Sequence, residues 1–141
     1  MATTTPQVGY ALKQAQSLLH LRMEEALKPL QLTVSQYSCL HSLRRAPGIS
    51  AAALARATFV TRQSMNAMLQ QLMDRGLVTR PPRAESGRAL PALLTNAGSD
   101  ILDTAQTLVD GVEQRMLGSM SANERAVLAR GLAICIASLD G

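Results

Sequence analysis

The sequence is poor in aromatic residues and cysteines and has no long apolar run. It contains no tryptophan, two tyrosines and one phenylalanine, too few for the stacking surfaces that bind single-stranded nucleic acids. Cys39 and Cys135 stand apart without a CxxC pair, which argues against a disulfide framework and a zinc finger. No apolar stretch reaches the roughly 18 residues of a membrane span, and the first residues lack a signal-peptide pattern. We therefore expect a cytoplasmic protein without a membrane partner.

Patterns for catalysis and metal binding are missing as well. The sequence has no nucleophile–base pair and no glycine loop for phosphate. His20 and His41 have no third ligand at a metal-binding spacing. We expect no enzymatic activity, no metal and no cofactor.

Positive charge is concentrated in the middle of the chain. The net charge of the 141 residues is +4, but residues 44–88 carry eight arginines against two acidic residues. Residues 1–43 sum to +1, and the part from residue 89 onward sums to −3. A localised basic stretch predicts a surface for a polyanion. The alternative is an ordinary solvated face.

The two ends of the chain are predicted to be long helices. Residues 8–30 repeat apolar side chains at steps of three and four, with Pro29 at the end. Thr95 is placed to cap a second long helix, and Ser121 with Glu124 forms a capping box for a last one. Their apolar stripes need a cover, so we expect 8–30 and 96–139 to be dimerisation helices. The whole chain, 1–141, is predicted to be a single domain.

Residues 33–95 between these ends have the pattern of a winged helix-turn-helix. A helix over 33–45 precedes a short helix capped by Ser50, a turn at Phe59-Val60 and a helix over TRQSMNAMLQQLMDR. Two short strands, 77–80 and 90–94, flank turn residues and form a β-hairpin, the wing. The fold class is therefore mainly α with a small β-hairpin wing.

The fourth helix is predicted to read duplex DNA. A helix about 10–12 Å across fits the major groove, and the N–H groups behind the N-cap can meet a phosphate. Glutamine and asparagine carry a donor and an acceptor, as bidentate reading of adenine requires, and arginine suits guanine or phosphate. The candidate DNA-binding residues of this helix are Thr61, Arg62, Gln63, Ser64, Asn66 and Gln70. The alternative is again a solvated helix face.

Three segments make the sequence resemble the MarR family of winged-helix regulators. They are LTVSQYSCLHSL, LARATFVTRQSMNAMLQQLMDRGLV and LPALLTNAG, whose LTNAG is similar to the family's LT-x-x-G after the wing. The SGR wing tip and the QSMN segment are similar to one subgroup. The resemblance implies an obligate dimer that represses a neighbouring gene and leaves DNA when a small phenolic or aromatic acid binds.

The resemblance also implies roles for residues of the wing. It assigns minor-groove contact to Arg88, and we expect Arg83 to contact DNA as well. Two positions depart from the family. Ser86 stands where an aspartate usually braces the wing arginine, and Phe59 stands where the turn usually has glycine or a small polar residue. A phenylalanine there either packs into the core or lies exposed beside DNA.

Four residues are candidates for an effector site at the junction of the dimerisation helices and the winged domain, where the resemblance places it. Arg22 lies at the edge of the first apolar stripe, where a guanidinium can hold a carboxylate. Tyr37 and His41, one turn apart, are placed to supply hydrogen bonds, and Met65 to line the floor. The alternative for Arg22 is an ion pair with Glu25.

The cysteines have two interpretations, and the whole chain has two candidate functions. Cys39 and Cys135 are expected to be buried and structural; the alternative is a redox sensor. The first function is a homodimeric repressor released from a pseudo-palindromic operator by an aromatic or phenolic ligand. The alternative is a winged-helix dimerisation module that does not bind DNA.

Overall fold

The computed structural model describes residues 7–81 and 91–141, which form six α-helices and a two-stranded sheet. The elements are α1 Val8–Leu27, α2 Val34–Arg45, α3 Ala51–Ala57, α4 Arg62–Asp74, β1 Val78–Thr79, β2 Leu93–Leu94, α5 Asn96–Leu117 and α6 Ala122–Leu139. The strands are antiparallel, with Val78 opposite Leu94 and Thr79 opposite Leu93. None of the helices in these ranges is long and apolar enough to cross a bilayer.

The predicted helix starts are confirmed by their caps. Thr33, Ser50, Thr61, Thr95 and Ser121 each accept a hydrogen bond from the backbone N–H three residues on. Such a bond satisfies one of the free donors of the first turn. Two of the five, before α2 and α6, are complete capping boxes.

The first helix ends earlier than predicted. α1 stops at Leu27, and Lys28–Leu30 form a single 3-10 turn that ends at Gln31 in the left-handed region, with φ 55°. Pro29 explains the break, because proline lacks an N–H and its ring clashes with the preceding turn of an α-helix. The strands are also shorter than predicted, two residues each within the described parts of the chain.

The core lies among the end of α1, the helices α2, α3 and α4, and the first half of α5. Its largest fully buried side chains are Leu27, Leu40, Leu54, Met65, Leu69, Leu72, Leu102 and Cys39. By contrast, α6 buries none of its residues in the single chain, and α1 buries only Leu27. The core is therefore that of the winged domain with the start of α5, and the outer helices extend beyond it.

A close junction joins the recognition region to α5. The hydroxyl of Thr95 donates to the Gly76 carbonyl oxygen at 2.6 Å and accepts from the Gly98 amide at 3.0 Å. A Cβ at position 98 would collide with the Leu77 carbonyl. The LT-x-x-G segment therefore has a physical role: the threonine caps α5, and the glycine lets α5 begin against β1.

Candidate nucleic-acid interface

The N-terminus of α4 is built around Thr61. Its Oγ1 accepts from the Ser64 amide at 3.0 Å, and its hydroxyl donates to the Ser64 Oγ at 2.9 Å. The cap holds Thr61 extended, with φ −71° and ψ 158°, so that the helix begins at Arg62. The N-terminus of the helix carries a partial positive charge that favours an anion such as a phosphate.

The two faces of α4 are sharply different. Met65, Leu69 and Leu72 are fully buried in the core. The opposite face exposes Arg62, Gln63, Ser64, Asn66 and Gln70. The buried side fixes the rotation of the helix, so the polar side faces solvent as a connected surface. This is the arrangement that the sequence predicts for a recognition helix.

The polar side chains of this face are not equally available. Within the described residues, Arg62, Gln63 and Asn66 make no side-chain hydrogen bond. Gln70 donates its amide to the Asp74 carboxylate at 2.9 Å, and the Ser64 hydroxyl is occupied by Thr61. The first two turns of α4 therefore offer the most available donors and acceptors.

A cleft separates the start of α3 from α4 and the base of the wing. Its volume is about 520 Å³, and it is lined by Ser50, Ala51, Ala52, Arg62, Asn66, Arg80 and Pro91. The Nε of Arg80 is buried without a hydrogen-bond partner among the described residues. Two guanidinium groups in one cleft favour an anion.

Arg80 is a residue that the sequence interpretation missed. In the sequence analysis, Arg80 is counted only as one of the arginines of the basic stretch. The alternation of inward and outward side chains along a strand would have placed it on the inward side. In β1, Val78 is buried and Thr79 exposed, so Arg80 follows on the inward side. A charged residue at an inward position of a short strand points to a functional cleft.

The turn before α4 exposes its phenylalanine. The Phe59 side chain is 95% exposed and its φ is 58°. Val60 lies partly buried, and its amide donates to the Ala55 carbonyl at 3.0 Å. Of the two placements open for Phe59 from sequence, the structure shows the exposed one.

The predicted wing contacts lie outside the described residues. Arg83, Arg88 and the departure at Ser86 all fall between residues 81 and 91. The strands β1 and β2 on either side of this segment pair with each other. Arg80 before it and Pro91 after it both line the cleft beside α4. Arg83 and Arg88 stay predictions.

Two other arginines of the basic stretch form hydrogen bonds to other parts of the chain. Arg44 on α2 donates to the Asp103 carboxylate at 2.8 Å and to the Ser99 carbonyl at 2.8 Å. Arg75 at the end of α4 donates to the Leu30 and Gln31 carbonyls at 3.1 and 2.8 Å. The basic charge of the middle segment is thus divided between an open surface and bonds inside the chain.

The four residues predicted for an effector site occupy different surroundings. Arg22 lines a cavity of about 290 Å³ between α1 and α5, together with Ala15, Leu18, Leu19, Val112, Arg115 and Met116. None of the other three candidates lines that cavity. Arg22 also forms the ion pair with Glu25 at 2.8 Å, which is the alternative that the sequence left open.

Tyr37 and His41 form a pair on α2. Their rings stack with centroids 5.9 Å apart, and the Tyr37 hydroxyl donates to the Gln106 side chain on α5 at 3.0 Å. Burial, with Asp110 as the second cause, raises the pKa of the Tyr37 phenol. The phenol is therefore neutral and holds α2 to α5. The Nδ1 of His41 is buried without a partner among the described residues.

Met65 and the cysteines complete the set. Met65 is fully buried, and its sulfur lies 3.9 Å from the Cys39 Sγ, so in this structure it offers no surface to a ligand. Burial raises the pKa of the Cys39 thiol to about 12, as expected for a structural cysteine. Cys135 on α6 is only partly buried in the single chain. The described residues hold no cluster of three or more metal-ligating side chains.

Comparison with known proteins identifies the family. A profile described as MarR family matches residues 30–89. The HTH-type transcriptional repressor Rv2887 of Mycobacterium tuberculosis is 38% identical over 125 residues, which are 89% of this chain and 90% of that protein. The chain belongs to the MarR family.

Solved structures of a MarR-family relative support the same fold. The crystal structure of Rv2887 in complex with DNA has a TM-score of 0.78 and 35% identity, covering 93% of this chain and 98% of that one. Its complex with salicylic acid has a TM-score of 0.75 and 37% identity, covering 96% and 99%. The predicted fold class, a mainly α MarR-type winged helix-turn-helix, is confirmed.

Proposed function

We propose that this protein is a homodimeric, cytoplasmic repressor that binds a pseudo-palindromic DNA operator and releases it when a small aromatic acid binds. The observation that carries the proposal is the available polar face of α4, with Arg62, Gln63 and Asn66 exposed around a capped helix N-terminus. The relative Rv2887 is named a transcriptional repressor and has a DNA complex. No catalytic step is part of this function.

The first element of the proposal is DNA binding by α4 and the wing. Arg62 and Arg80 stand in the cleft at the wing base, where two positive charges favour a backbone phosphate. Gln63 and Asn66 project from the same turns of the helix and read base edges. Arg83 and Arg88, which lie outside the described residues, remain predicted contacts of the wing to DNA.

The second element is the dimer. In the single chain α6 leaves large apolar side chains in solvent: Val127, Leu128, Ile134, Ile136 and Leu139 are 41–85% exposed. α1 does the same with Val8, Leu12, Leu18 and Leu21 at 42–62%. So many large apolar side chains exposed on two long helices favour a protein–protein interface. Deleting residues 1–20 should give monomers or aggregates by light scattering; a stable soluble dimer would contradict this element.

The third element is the effector. The cavity beside Arg22 combines an apolar lining with a second guanidinium, Arg115, and a carboxylate with an aromatic ring suits such a mixture. Rv2887 has a complex with salicylic acid. We expect the effector to bind better to a dimer in which the distance between the two α4 helices does not match the two half-sites. If this difference in binding free energy is about 1–3 kcal/mol, the effector lowers the affinity for DNA about 5–150-fold.

A gel-shift experiment on the DNA upstream of the gene tests the proposal. The protein should retard this fragment and not an unrelated one, and millimolar salicylate should release it. Arg22→Ala should raise the salicylate concentration needed, whereas Arg130→Ala, an exposed arginine of α6, should not. Equal release from wild type and Arg22→Ala would exclude Arg22 as the anchor. No effect of any aromatic acid would exclude the effector function.

The alternative function is a dimerisation module that does not bind DNA. The exposed apolar faces of α1 and α6 fit it equally well, because they concern only chain–chain contact. What disfavours it is the exposed polar face of α4, which such a module does not need. A protein that is dimeric but fails to retard any upstream fragment would support this alternative.

A further inference from the structure

Phe59 combines two unfavourable features at one position. A phenylalanine ring that is 95% exposed forgoes the favourable burial of a large apolar surface. A φ of 58° puts a bulky side chain in the left-handed region, which non-glycine residues rarely adopt. Glycine would satisfy this turn without either cost. Such strained residues persist where function requires them.

The location of Phe59 is next to the face of α4 that enters DNA in the proposed function. The residue lies two positions before the N-cap Thr61. In helix-turn-helix proteins the N-terminal residues of the recognition helix contact base edges. A side chain that projects from the preceding turn therefore lies at the rim of the major groove.

The charge around Phe59 favours a nucleic acid over a protein as its partner. Arg56 and Arg62 flank the turn and are exposed, and within the described residues neither pairs with a carboxylate. An exposed aromatic ring between two arginines is complementary to a surface that is anionic outside and partly apolar inside. The major groove of DNA has this character.

The C5-methyl group of thymine is an apolar group on the base edges of the major groove, and the phenylalanine ring can pack against it. We propose that Phe59 contacts this methyl group in each half-site and so selects thymine at a position that no hydrogen bond reads. The inference rests on the proposed DNA binding. It adds a specificity determinant, at a position outside the polar face of α4.

The test removes the methyl groups from the DNA, and it works on the whole upstream fragment, so the operator need not first be mapped. The fragment is amplified with dTTP or with dUTP, since uracil keeps the hydrogen bonds of thymine and lacks its methyl. Wild type should bind thymine DNA about four-fold better than uracil DNA per half-site, as one buried methyl group predicts. Fluorescence anisotropy measures both affinities.

The informative variant is Phe59→Gly. Because glycine adopts a positive φ without strain, this variant should fold, and its thermal melting verifies that it does. Its ratio of thymine to uracil affinity should fall to about one, and its affinity for thymine DNA should approach that of wild type for uracil DNA.

Three results would overturn the inference, and they are distinguishable. A wild-type ratio of one means that no thymine methyl is read. A Phe59→Gly ratio equal to that of wild type means that another residue reads it. A wild type that binds neither fragment contradicts the proposed function itself, and the inference with it.

Discussion

Gly98 at the start of α5 lies directly against the carbonyl oxygen of Leu77, so close that a Cβ on Gly98 would collide with it. The colliding atom belongs to the backbone and cannot turn aside as a flexible side chain would. The same junction holds Thr95 between the Gly76 carbonyl and the Gly98 amide. The placement of α5 on the winged domain therefore depends on the missing side chain at position 98.

Gly98→Ala should destabilise the protein by about 1–3 kcal/mol, because the backbone of α5 or β1 must shift. Gly111→Ala is the matched control: the same substitution in the same helix, where a Cβ meets nothing within 4 Å. It should stabilise the protein by about 0.5–1 kcal/mol through helix propensity. Urea denaturation at one fixed protein concentration measures both. Equal effects at the two positions would contradict the close-contact account.

The sequence predicts this region well where local chemistry decides it. Thr61 and Thr95 are capping residues by type and spacing, and α4 repeats its apolar residues at helical steps, so both helix starts and the buried face of α4 are confirmed. LT-x-x-G is recognisable as a motif from the sequence. Its reason, the contact of Gly98 with Leu77, is not, because it joins residues that are distant in sequence.

Other features depend on tertiary contacts and so escape prediction from the sequence. Arg44 belongs to the basic stretch, for which the sequence allows a polyanion-binding surface and a solvated face alike. Its bonds to Asp103 and Ser99 require the packing of α2 on α5. The apolar stripe of the first helix is visible in the sequence as Val8, Leu12, Ala15, Leu19, Met23, Ala26 and Leu30. The one residue of α1 that is buried in the single chain, Leu27, is not among them. The sequence does not decide the exposure of Phe59, because hydrophobicity favours the core and the turn favours the surface.

Asn66→Ala and Gln63→Ala should each reduce base discrimination. Both side chains are exposed and make no hydrogen bond within the described residues, so their amides are available to bases. We expect a loss of about 1–3 kcal/mol of discrimination at one position of each half-site. Binding to a panel of single-base operator variants measures it. Asn123→Ala on α6, where the side chain is also exposed, should leave the relative affinities for these variants unchanged. If Asn66→Ala leaves them unchanged as well, Asn66 does not read a base.

Arg88→Ala should weaken binding to all DNA sequences alike. The wing arginine is expected to contribute mainly electrostatically, so the slope of log affinity against log salt should fall by about one per chain. The control is Arg130→Ala, which removes the same charge from α6. An unchanged affinity and salt slope for Arg88→Ala would mean that the wing, with Ser86 in place of the bracing aspartate, does not reach DNA.

The Cys39 thiol should be unreactive in the folded protein. Its pKa of about 12 lies above the ordinary value of 9.0 because of burial, and the thiolate is the reactive form. A thiol reagent near neutral pH should therefore modify Cys135 at most, and Cys39 only after unfolding. As the pH rises, the Cys39 thiol ionises in the unfolded chain before it does so in the folded protein. The contribution of this thiol to the free energy of unfolding is therefore complete below pH 9 and is lost as the pH rises toward 12. Rapid modification of Cys39 in the native state, located by mass spectrometry, would contradict its burial.

In the proposed function, two copies of α4 read two half-sites on one duplex. Hydroxyl-radical footprinting of the upstream DNA measures this arrangement. We expect two protected regions on one face of the duplex, centred about 10 base pairs apart and related by an inverted repeat. Protection that is absent, or spread evenly along the fragment and along unrelated DNA alike, would contradict it.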